Sequence, residues 1–399
     1  MNARLSTSNV YDATIEQLTT RQGALGTLQE QLSSGKRILR ASDDPAGAAE
    51  AERAGTRIAR LAADQKAMSA ARDSMSAAES TLGNAVNLMQ SARDAVVAAG
   101  NGSYSSAERQ SLAQQLSDLR SQLLGVANQC DANGQYLFSG AGAAGVPFTD
   151  GAAGVSFNGV PGQTVPSAGV PHSLDGHAIF MSVPGGNGVF QVAANGANTG
   201  AAFSDGGQVT DPTALTGHDY SVQFSGSGAS LQYSVTDSTT GATVLANQNY
   251  KDGQAIAFDG QSLIVKGTPA AGDSFQTTPS QPTTLFSVLD KAIAALSSST
   301  ATSPQVMQSV QQTLQGLDAG LDRLQVGRSQ AGEWMNRADA SSARMDTLNT
   351  QLANTQSQAQ DMDMIKGISD FQNQQTAYSA ALKAYAQVQQ LSLIQYLNP

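Results

Sequence analysis

The chain has 399 residues, enough for two or three modules with separate cores, and it is acidic, with 22 Lys and Arg against 32 Asp and Glu and a formal net charge of −10. This charge argues against nucleic acid as a partner, because phosphate binding needs clustered Lys and Arg. One cysteine, Cys130, rules out an intrachain disulfide and falls short of a thiolate zinc cluster. Cys130 follows Val126 by four residues, which would place both on the apolar face of a helix. We therefore expect Cys130 to act as a small buried hydrophobic residue.

The first predicted element is a helix over residues 6 to about 34, ending near Gly35. Its large apolar residues recur at spacings of four and three along one face, and Gln22 and Gln29 stand where further apolar side chains are expected. The residues of this seam are Tyr11, Ile15, Leu18, Leu25 and Leu32. A seam of this kind needs a partner helix.

A second helix is predicted from residue 46 to Ala99, with Asp44 as its N-cap and Pro45 at its first position. Large apolar residues recur in it every seven positions, and alanines follow most of them three residues later, which allows close helix packing. The large residues are Leu61, Met68, Met75, Leu82, Met89 and Val96. A turn at residues 100–102 then leads into a third helix over 105–130, which should fold back antiparallel.

Between about Ser139 and Pro282 the apolar period changes from seven to two. Short alternating runs separated by Gly, Asp, Asn and Pro predict antiparallel strands and hairpins. The runs are 220–224, 231–235, 255–258 and 263–265. Residues 131–285 contain ten Asp, two Lys and neither Glu nor Arg, so we expect a solvated, acidic β module inserted into a helical bundle.

Helical periodicity returns after the β module and continues to the C-terminus. The first seam is Val310, Leu314, Leu317, Leu321 and Leu324, and the pattern continues through Leu348 and Leu352. The last segment repeats the four-three spacing, with Gln375 and Gln389 as polar interruptions. Its seam is Phe371, Tyr378, Leu382 and Tyr385. Residues far apart in sequence are therefore expected to meet in one bundle.

The two terminal seams are too small to order their helices alone. Burying five large side chains contributes about 10 kcal/mol at ~2 kcal/mol each, whereas fixing roughly 25 residues of backbone costs ~1 to 2 kcal/mol apiece. Helical hydrogen bonds recover only part of this difference. We therefore expect both ends to lack a stable conformation in the monomer and to become helical when packed among neighbouring subunits.

These patterns define an α+β fold, a long antiparallel α-helical bundle or coiled coil made from both N- and C-terminal segments, with an inserted antiparallel β-rich domain. We predict five segments. They are an N-terminal assembly helix (1–45), the N-terminal half of the bundle (46–138), the β-rich domain (139–282), the C-terminal half of the bundle (283–355) and a C-terminal assembly helix (356–399).

The polar residues do not combine into a catalytic or metal-binding constellation. The pair His172 and His177 is better explained as exposed loop residues than as metal ligands. The run 185–188, Gly-Gly-Asn-Gly, predicts a hairpin turn, because no Lys follows it as in a phosphate-binding loop. The adjacent Asp43 and Asp44 favour helix capping over metal binding. We expect a protein that is not an enzyme and has no cofactor and no metal.

Membrane insertion and a cleaved signal peptide are also not expected. No run approaches the 18 apolar residues of a membrane span. The segment Met1–Val10 lacks the apolar core of a cleavable signal peptide.

Motifs at both ends resemble those of bacterial flagellins and their relatives. They are Arg4–Thr7, Leu32–Arg37 and Ser42–Ala46 near the start, and Gln325–Arg328 and Ile368–Ala377 near the end. Three further features point away from the filament subunit and toward the hook-associated members of the family. They are Asn133–Gly140 leading to Pro147-Phe148, the turn and strand pattern Gly267–Phe275, and the terminus Leu391–Leu397.

The resemblance implies a structural adaptor of the flagellum that joins hook to filament through helical self-assembly of its terminal helices. The implied partners are copies of the same chain in a ring, a neighbouring hook-associated protein, flagellin, and an export chaperone before secretion. The implied location is extracellular, at the hook–filament junction, reached by flagellar type III export with an uncleaved N-terminus. The assembly interface would comprise the two terminal seams together with Leu391, Leu393, Ile394, Tyr396 and Leu397.

Two other functions remain open. The first is a flagellin filament subunit, which would polymerise into long filaments from pure protein, whereas a junction protein should stop at short assemblies. The second is a secreted glycan-binding or glycan-cleaving protein in which the acidic β module does the work. Three histidines, a single tryptophan on a helix (Trp334) and the absence of paired Glu residues argue against this second function.

Overall fold

The computed structural model describes the backbone of residues 7–165 and 169–397, and the side chains of these residues except 7–11, Ala229 and 388–397. The chain divides into two compact units. Residues 1–66 and 341–399 form one, here called the terminal unit, and residues 67–340 form the other, the central unit.

Within the described ranges the α-helices are α1 (Thr7–Ser34), α2 (Pro45–Ala99), α3 (Ser106–Ala127), α4 (Leu285–Ser297), α5 (Ser303–Gln360) and α6 (Met364–Leu397). A π-helix (His177–Met181) and a 3-10 helix (Gly228–Ser230) lie between the strands. The strands all lie between α3 and α4. They are β1 (Ala143–Gly151), β2 (Gly154–Gly159), β3 (Val183–Pro184), β4 (Phe190–Ala194), β5 (Ala201–Ser204), β6 (Gln208–Val209), β7 (Tyr220–Ser225), β8 (Gln232–Asp237), β9 (Thr243–Asn249), β10 (Ala255–Phe258), β11 (Gln261–Thr268), β12 (Ser274–Pro279) and β13 (Pro282–Thr283). The predicted fold class, a bundle built from both ends with an inserted antiparallel β-rich domain, is confirmed.

The terminal unit contains α1, α6 and the ends of α2 and α5 that lie outside residues 67–340. Two loops in it are tied by backbone hydrogen bonds, from Arg37 N to Gln360 O (2.8 Å) and from Met362 N to Gly35 O (2.9 Å). Gly35 takes a positive φ of 71° where α1 ends, a conformation that glycine adopts without strain. These two hydrogen bonds therefore join the loop that follows α1 to the loop that precedes α6.

The start of α2 follows the capping prediction. Asp44 Oδ1 accepts a hydrogen bond from Gly47 N at 2.9 Å, and Pro45 is the first helical residue. Gly47 leaves room for this cap, because a Cβ there would lie 2.6 Å from Asp44 Oδ2. Asp44 therefore caps α2 as predicted, whereas Asp43 braces the preceding loop, its Oδ2 accepting from Arg40 N at 2.8 Å.

In the central unit, the seven-residue pattern of α2 forms the helical core. Met68, Met75, Leu82, Met89 and Val96 are all buried there. The alanines that follow them three residues later are buried too, at Ala71, Ala78, Ala85, Ala92 and Ala99. The alternation of large and small side chains therefore points into the bundle as its spacing predicts.

Exposed ion pairs mark the antiparallel register of α2 and α5 in the central unit. Arg72 Nε lies 2.6 Å from Asp339 Oδ1, and Arg93 Nε lies 2.8 Å from Asp318 Oδ1. Between these two pairs each helix advances by 21 residues, which is three heptads, in opposite directions. This ladder of pairs was not predicted from the sequence.

Glycines on α5 let α4 and the core approach closely. A Cβ at Gly316 would lie 2.8 Å from both methyl groups of Val288, and one at Gly320 would collide with Leu285. Glycine is normally unfavourable inside a helix, so its presence at these contacts indicates a packing role.

In the described part of the chain, the β module has four antiparallel sheets. Two of them are the two-stranded pairs β1–β2 and β3–β13, and the two larger sheets share an apolar core. One has the order β4-β12-β7-β8-β9, and the other joins β10, β11 and β5, with β6 also paired to β11. The core residues are Phe190, Val192, Ala202, Tyr220, Val222, Phe224, Val235, Ile256, Phe258, Leu263, Val265 and Phe275. The alternating runs predicted as strands lie on β7, β8, β10 and β11, and their inward positions supply most of this core.

The acidic residues of the β module organise its loops. Seven of the ten Asp residues in 131–285 accept hydrogen bonds from backbone N–H groups, usually two or three residues further along the chain. They are Asp131, Asp175, Asp205, Asp211, Asp237, Asp252 and Asp273. The short Asp side chain reaches these groups, whereas Glu carries an extra methylene, which explains why Asp dominates.

The expectation for Cys130 was wrong. Helix α3 ends at Ala127, and Cys130 lies beyond it in a bridge with Tyr136, where it is partly exposed. Asn128, at the C-terminal cap, accounts for the early end of the helix. Its side-chain amide donates to Phe148 O at 2.8 Å, and its Oδ1 accepts from Phe148 N at 2.9 Å.

Candidate assembly surfaces

Helices α1 and α6 pack against each other in the terminal unit. Most of the predicted seam residues with described side chains are half-buried, namely Leu18, Leu25, Leu32, Phe371, Tyr378 and Tyr385. At one end of the pair, Gly367 is buried, and a Cβ there would lie 3.2 Å from Leu32 Cδ2. The seams thus partly satisfy each other within one chain.

Two seam residues remain outside this pairing. Ile15 is 48% exposed and Leu382 is 42% exposed. They lie on helix faces adjacent to the half-buried seam, so they are free to contact another molecule. The side chains of Tyr11, Leu391, Leu393, Ile394, Tyr396 and Leu397 lie outside the described residues.

A further exposed apolar group at the start of α6 was not predicted. Asp363 caps this helix, since its Oδ1 accepts from Ile365 N at 3.0 Å and from Lys366 N at 3.1 Å. Ile365 is 85% exposed, and Met364 and Ile368 are also exposed. The sequence signal was three large apolar residues within five positions directly after a polar run.

The motif residues near Gly327 serve contacts inside the central unit. A Cβ at Gly327 would lie 3.0 Å from Ile179 Cδ1 and 3.2 Å from Leu82 Cδ1, so only glycine fits without displacement. The next residue, Arg328, donates from Nε to Glu79 Oε1 at 3.0 Å. These residues hold α5 against α2 and the loop before β3.

Arg120 on α3 joins the β1–β2 hairpin to the helices. Its guanidinium donates to Asp150 Oδ2 at 2.6 Å and Oδ1 at 2.9 Å, and to Asp290 Oδ2 on α4 at 3.2 Å. This hydrogen bonding from Arg120 holds the pKa of Asp150 below its usual range. An aromatic cluster lies alongside, in which Phe148 and Phe180 meet edge to face with ring centroids 5.4 Å apart.

Glutamines on α5 join the β module to the helices. Gln308 Oε1 accepts from Ser204 N (2.8 Å) and Ser204 Oγ (3.1 Å) on β5, and both residues are buried. One turn later, Gln312 Nε2 donates to Val192 O on β4 at 2.8 Å. Because these bonds occupy backbone groups of β4 and β5, the module is held by α5 as well as by its connecting chains.

The clearest electrostatic feature of the β module is the pair formed by His218 and Asp237. His218 Nδ1 lies 2.8 Å from Asp237 Oδ2. Burial raises the pKa of Asp237, but hydrogen bonds from Thr240, His218 and the backbone of Thr239 outweigh burial and lower this pKa to about 2. The carboxylate is therefore a fixed charge that braces the β8–β9 turn.

Other polar groups serve local structure. His172 is exposed, and His177 is half-buried, with its Nδ1 3.2 Å from Ser182 Oγ. The run 185–188 is a turn closed by Gly188 N to Gly185 O at 3.1 Å. Among the described residues, no group of three or more His, Cys, Asp or Glu side chains could hold a metal ion. The described helices also include none that is long and apolar enough to span a bilayer.

Comparison with known proteins assigns the two ends and the middle separately. Residues 5–143 match the bacterial flagellin N-terminal helical region, and residues 314–397 match the bacterial flagellin C-terminal helical region. Residues 193–279 match the D2-like domain of flagellar hook-associated protein 1.

Individual relatives extend this result. Flagellar hook-associated protein 3 of Salmonella typhimurium is 34% identical over 145 residues, covering 36% of this chain and 46% of the relative. The chain thus spans about half the length of the curated relatives it matches. Crystal structures cover more. Hook-associated protein 3 of Legionella pneumophila has 28% identity and a TM-score of 0.71 over 76% of this chain and 97% of that one. FlgL of Xanthomonas campestris has 29% identity and a TM-score of 0.68, and the match covers 77% of this chain and 99% of that one.

Both flagellin regions occur in their expected order around a β module that matches a hook-associated protein. The chain therefore belongs to the bacterial flagellin family and is of the hook-associated protein 3 type.

Proposed function

We propose that this protein is a structural adaptor that joins the flagellar hook to the filament. The observation that carries the proposal is the combination of flagellin-like ends with a middle module that matches a hook-associated protein. Such a chain could pack its helices like a flagellin while presenting a different outer module. The role is mechanical, so the protein is proposed not to be an enzyme.

Assembly is proposed to use the terminal helices of several copies in a ring. Within one chain α1 and α6 leave their seam residues only half-buried, and Ile15 and Leu382 remain exposed. Helices with partly uncovered apolar faces gain free energy when neighbouring helices cover them. The predicted interface also includes Tyr11, Leu391, Leu393, Ile394, Tyr396 and Leu397, and the predicted disorder of both ends in the monomer is part of this proposal.

The proposed partners are copies of this chain, a neighbouring hook-associated protein, flagellin, and an export chaperone before secretion. The proposed location is extracellular, at the hook–filament junction. Export without cleavage of the N-terminus would deliver the chain there. Deleting the gene should leave hooks without filaments and flagellin in the medium, and immunogold labelling should mark one band between hook and filament. Labelling along the whole filament would instead indicate a flagellin.

A variant test addresses the interface itself. Replacing Leu393, Ile394 or Tyr396 with Asp places a charge on the proposed assembly face, so assembly should be blocked while the β module stays folded. Normal flagella in cells carrying these variants would contradict the proposal. In seeded polymerisation, the pure protein should stop at short assemblies, whereas long filaments would favour the flagellin alternative.

A further inference from the structure

Three arginines on α2 in the terminal unit have no carboxylate partner. Arg53, Arg57 and Arg60 follow four-three spacing, so they share one helix face, and all three are exposed. None of them forms an ion pair within the described part of the chain, which includes all three side chains. Further along α2, Arg72 and Arg93 each pair with an Asp on α5. The first three arginines therefore form a distinct surface, here called the arginine stripe.

A groove lies beside the stripe. It has a volume of about 570 Å³ and is lined by Ala46, Ala49, Glu50, Arg53, Ala54 and Arg57 on α2 and by Leu352 and Thr355 on α5. Two arginines of the stripe, Arg53 and Arg57, thus line a concave surface together with one carboxylate, Glu50. The groove therefore carries a net positive charge, which complements a negatively charged protein surface.

The charge that would complement the stripe is concentrated elsewhere in the chain. The terminal unit contains 12 Lys and Arg and 12 Asp and Glu, so its net charge is zero. The central unit contains 10 Lys and Arg and 20 Asp and Glu, so it carries the whole net charge of −10. Most of this surplus lies in residues 131–285, with ten Asp and two Lys. Backbone hydrogen bonds hold seven of these Asp side chains in place. Two of the seven, Asp237 and Asp273, are buried, and the other five are partly or fully exposed and form a fixed part of the negative surface.

We propose that the arginine stripe of one copy docks on the acidic β module (residues 131–285) of a second copy of this chain. The proposal rests on the proposed function, because it names a contact between copies in the assembly. The contact joins different surfaces of the two molecules, so it repeats from copy to copy and can close a ring.

The small free energy of exposed ion pairs explains why this contact should form only in the assembly. Exposed ion pairs are individually weak and are screened beyond about 8 Å at physiological salt. Three such pairs cannot hold two free molecules together. Once the terminal helices hold neighbouring copies side by side, the effective concentration is high and the same pairs select one orientation.

Zero-length cross-linking tests the contact directly. In the full-length variant Arg53→Lys/Arg57→Lys/Arg60→Lys the charge is kept and primary amines are introduced, which a carbodiimide couples to nearby carboxylates. Assemblies grown from a mixture of ¹⁴N- and ¹⁵N-labelled protein should yield mixed-isotope peptides that link these positions to Asp residues within 131–285. Links to neighbouring carboxylates of the same copy, such as Glu50, are expected in any case. Mixed-isotope links only to carboxylates outside 131–285, or no mixed-isotope links at all, would overturn the proposal.

Charge reversal provides the second measurement. Arg53→Glu/Arg57→Glu/Arg60→Glu should raise the concentration needed for half-maximal assembly by about tenfold at low salt, and the effect should shrink as salt is added. The lysine variant is the matched control and should assemble like the wild type. Reversal without effect at low salt overturns the docking alone. A wild-type protein that never forms multi-copy assemblies overturns the proposed function and the docking with it.

Discussion

The two units use the same seven-residue apolar pattern with different results. In the central unit α5 buries Leu317 completely. In the terminal unit Leu352, five heptads further along the same face of α5, is 8% exposed, and Leu348 on the neighbouring position of the seam is 45% exposed. The central stretch of α2 is covered by neighbouring elements, and its Leu82 and Met89 are also fully buried. The pattern therefore predicts that a helix face packs against neighbouring elements. How far the face is buried depends on how many such elements the same chain supplies.

The largest expected effect tests this difference on one helix. Leu317→Ala should lower the free energy of unfolding by about 2 to 5 kcal/mol, because it leaves a cavity in a packed core. Leu348→Ala should cost about 1 kcal/mol or less, since much of this side chain already contacts water. Urea unfolding of both variants, followed by far-ultraviolet circular dichroism, measures the two values. Equal losses would mean that the two units are packed alike.

The next effect concerns the attachment of the β module in the central unit. Arg120→Ala should destabilise the protein by about 2 kcal/mol, because Asp150 and Asp290 lose the largely buried guanidinium between them. The matched control is Arg72→Ala, which removes an exposed ion pair and should change stability little. Thermal unfolding of the two variants against wild type measures the difference. A control variant as unstable as Arg120→Ala would contradict this reading.

Acid should weaken the β module through Asp237. The pKa of Asp237 is about 2 in the folded chain, below the value of about 3.9 for an unfolded Asp. Its contribution to stability is therefore complete above about pH 4 and is lost as the pH falls from about 4 to about 2. Near-ultraviolet circular dichroism of the tyrosines in the β module follows this loss.

The variant Asp237→Asn serves as the control for the acid experiment. It should be less stable than wild type at neutral pH and should show a weaker pH dependence between pH 4 and 2. An identical acid profile in the variant would show that this carboxylate does not contribute.

The smallest effect on the free chain should come from the exposed terminal residues. Ile15→Ser and Leu382→Ser are expected to change monomer stability by no more than about 0.5 kcal/mol, yet to weaken assembly. Leu25→Ser, at a half-buried position of α1, is the matched comparison. Because the ends are proposed to be disordered in the free monomer, it should also leave monomer stability unchanged, and a clear loss of stability in this variant would contradict that disorder. Unfolding curves and sedimentation of the same samples separate the two effects. Unchanged assembly in both exposed variants would exclude these residues from the interface.

Much of the fold followed from local chemistry. The cap at Asp44 and Pro45 predicted the start of α2, because that signal depends on neighbouring residues alone. The alternating runs predicted strands β7 and β10 for the same reason. The break at 298–302 between α4 and α5 was missed, although a run of Ser and Thr marks it.

The surfaces were harder to predict because they depend on which elements meet. The four-three spacing placed Leu382 in one seam with Tyr378, but in the structure Tyr378 is half-buried and Leu382 is exposed. The ion pairs between α2 and α5 were missed for the same reason, since they have no local signature. The exposed apolar start of α6 was missed although three large apolar residues follow a polar run there. The interface assignments at the extreme C-terminus stay predictions.

The paired charges on α2 and α5 limit how this protein can change length during evolution. Arg72 and Arg93 meet Asp339 and Asp318 at spacings of three heptads on helices that run in opposite directions. An insertion in one helix alone would shift every later pair out of register, and one that is not a multiple of seven would also rotate the apolar face. Matched insertions of whole heptads in both halves of the gene would preserve the pairs, so the two ends of the coding sequence are expected to lengthen or shorten together.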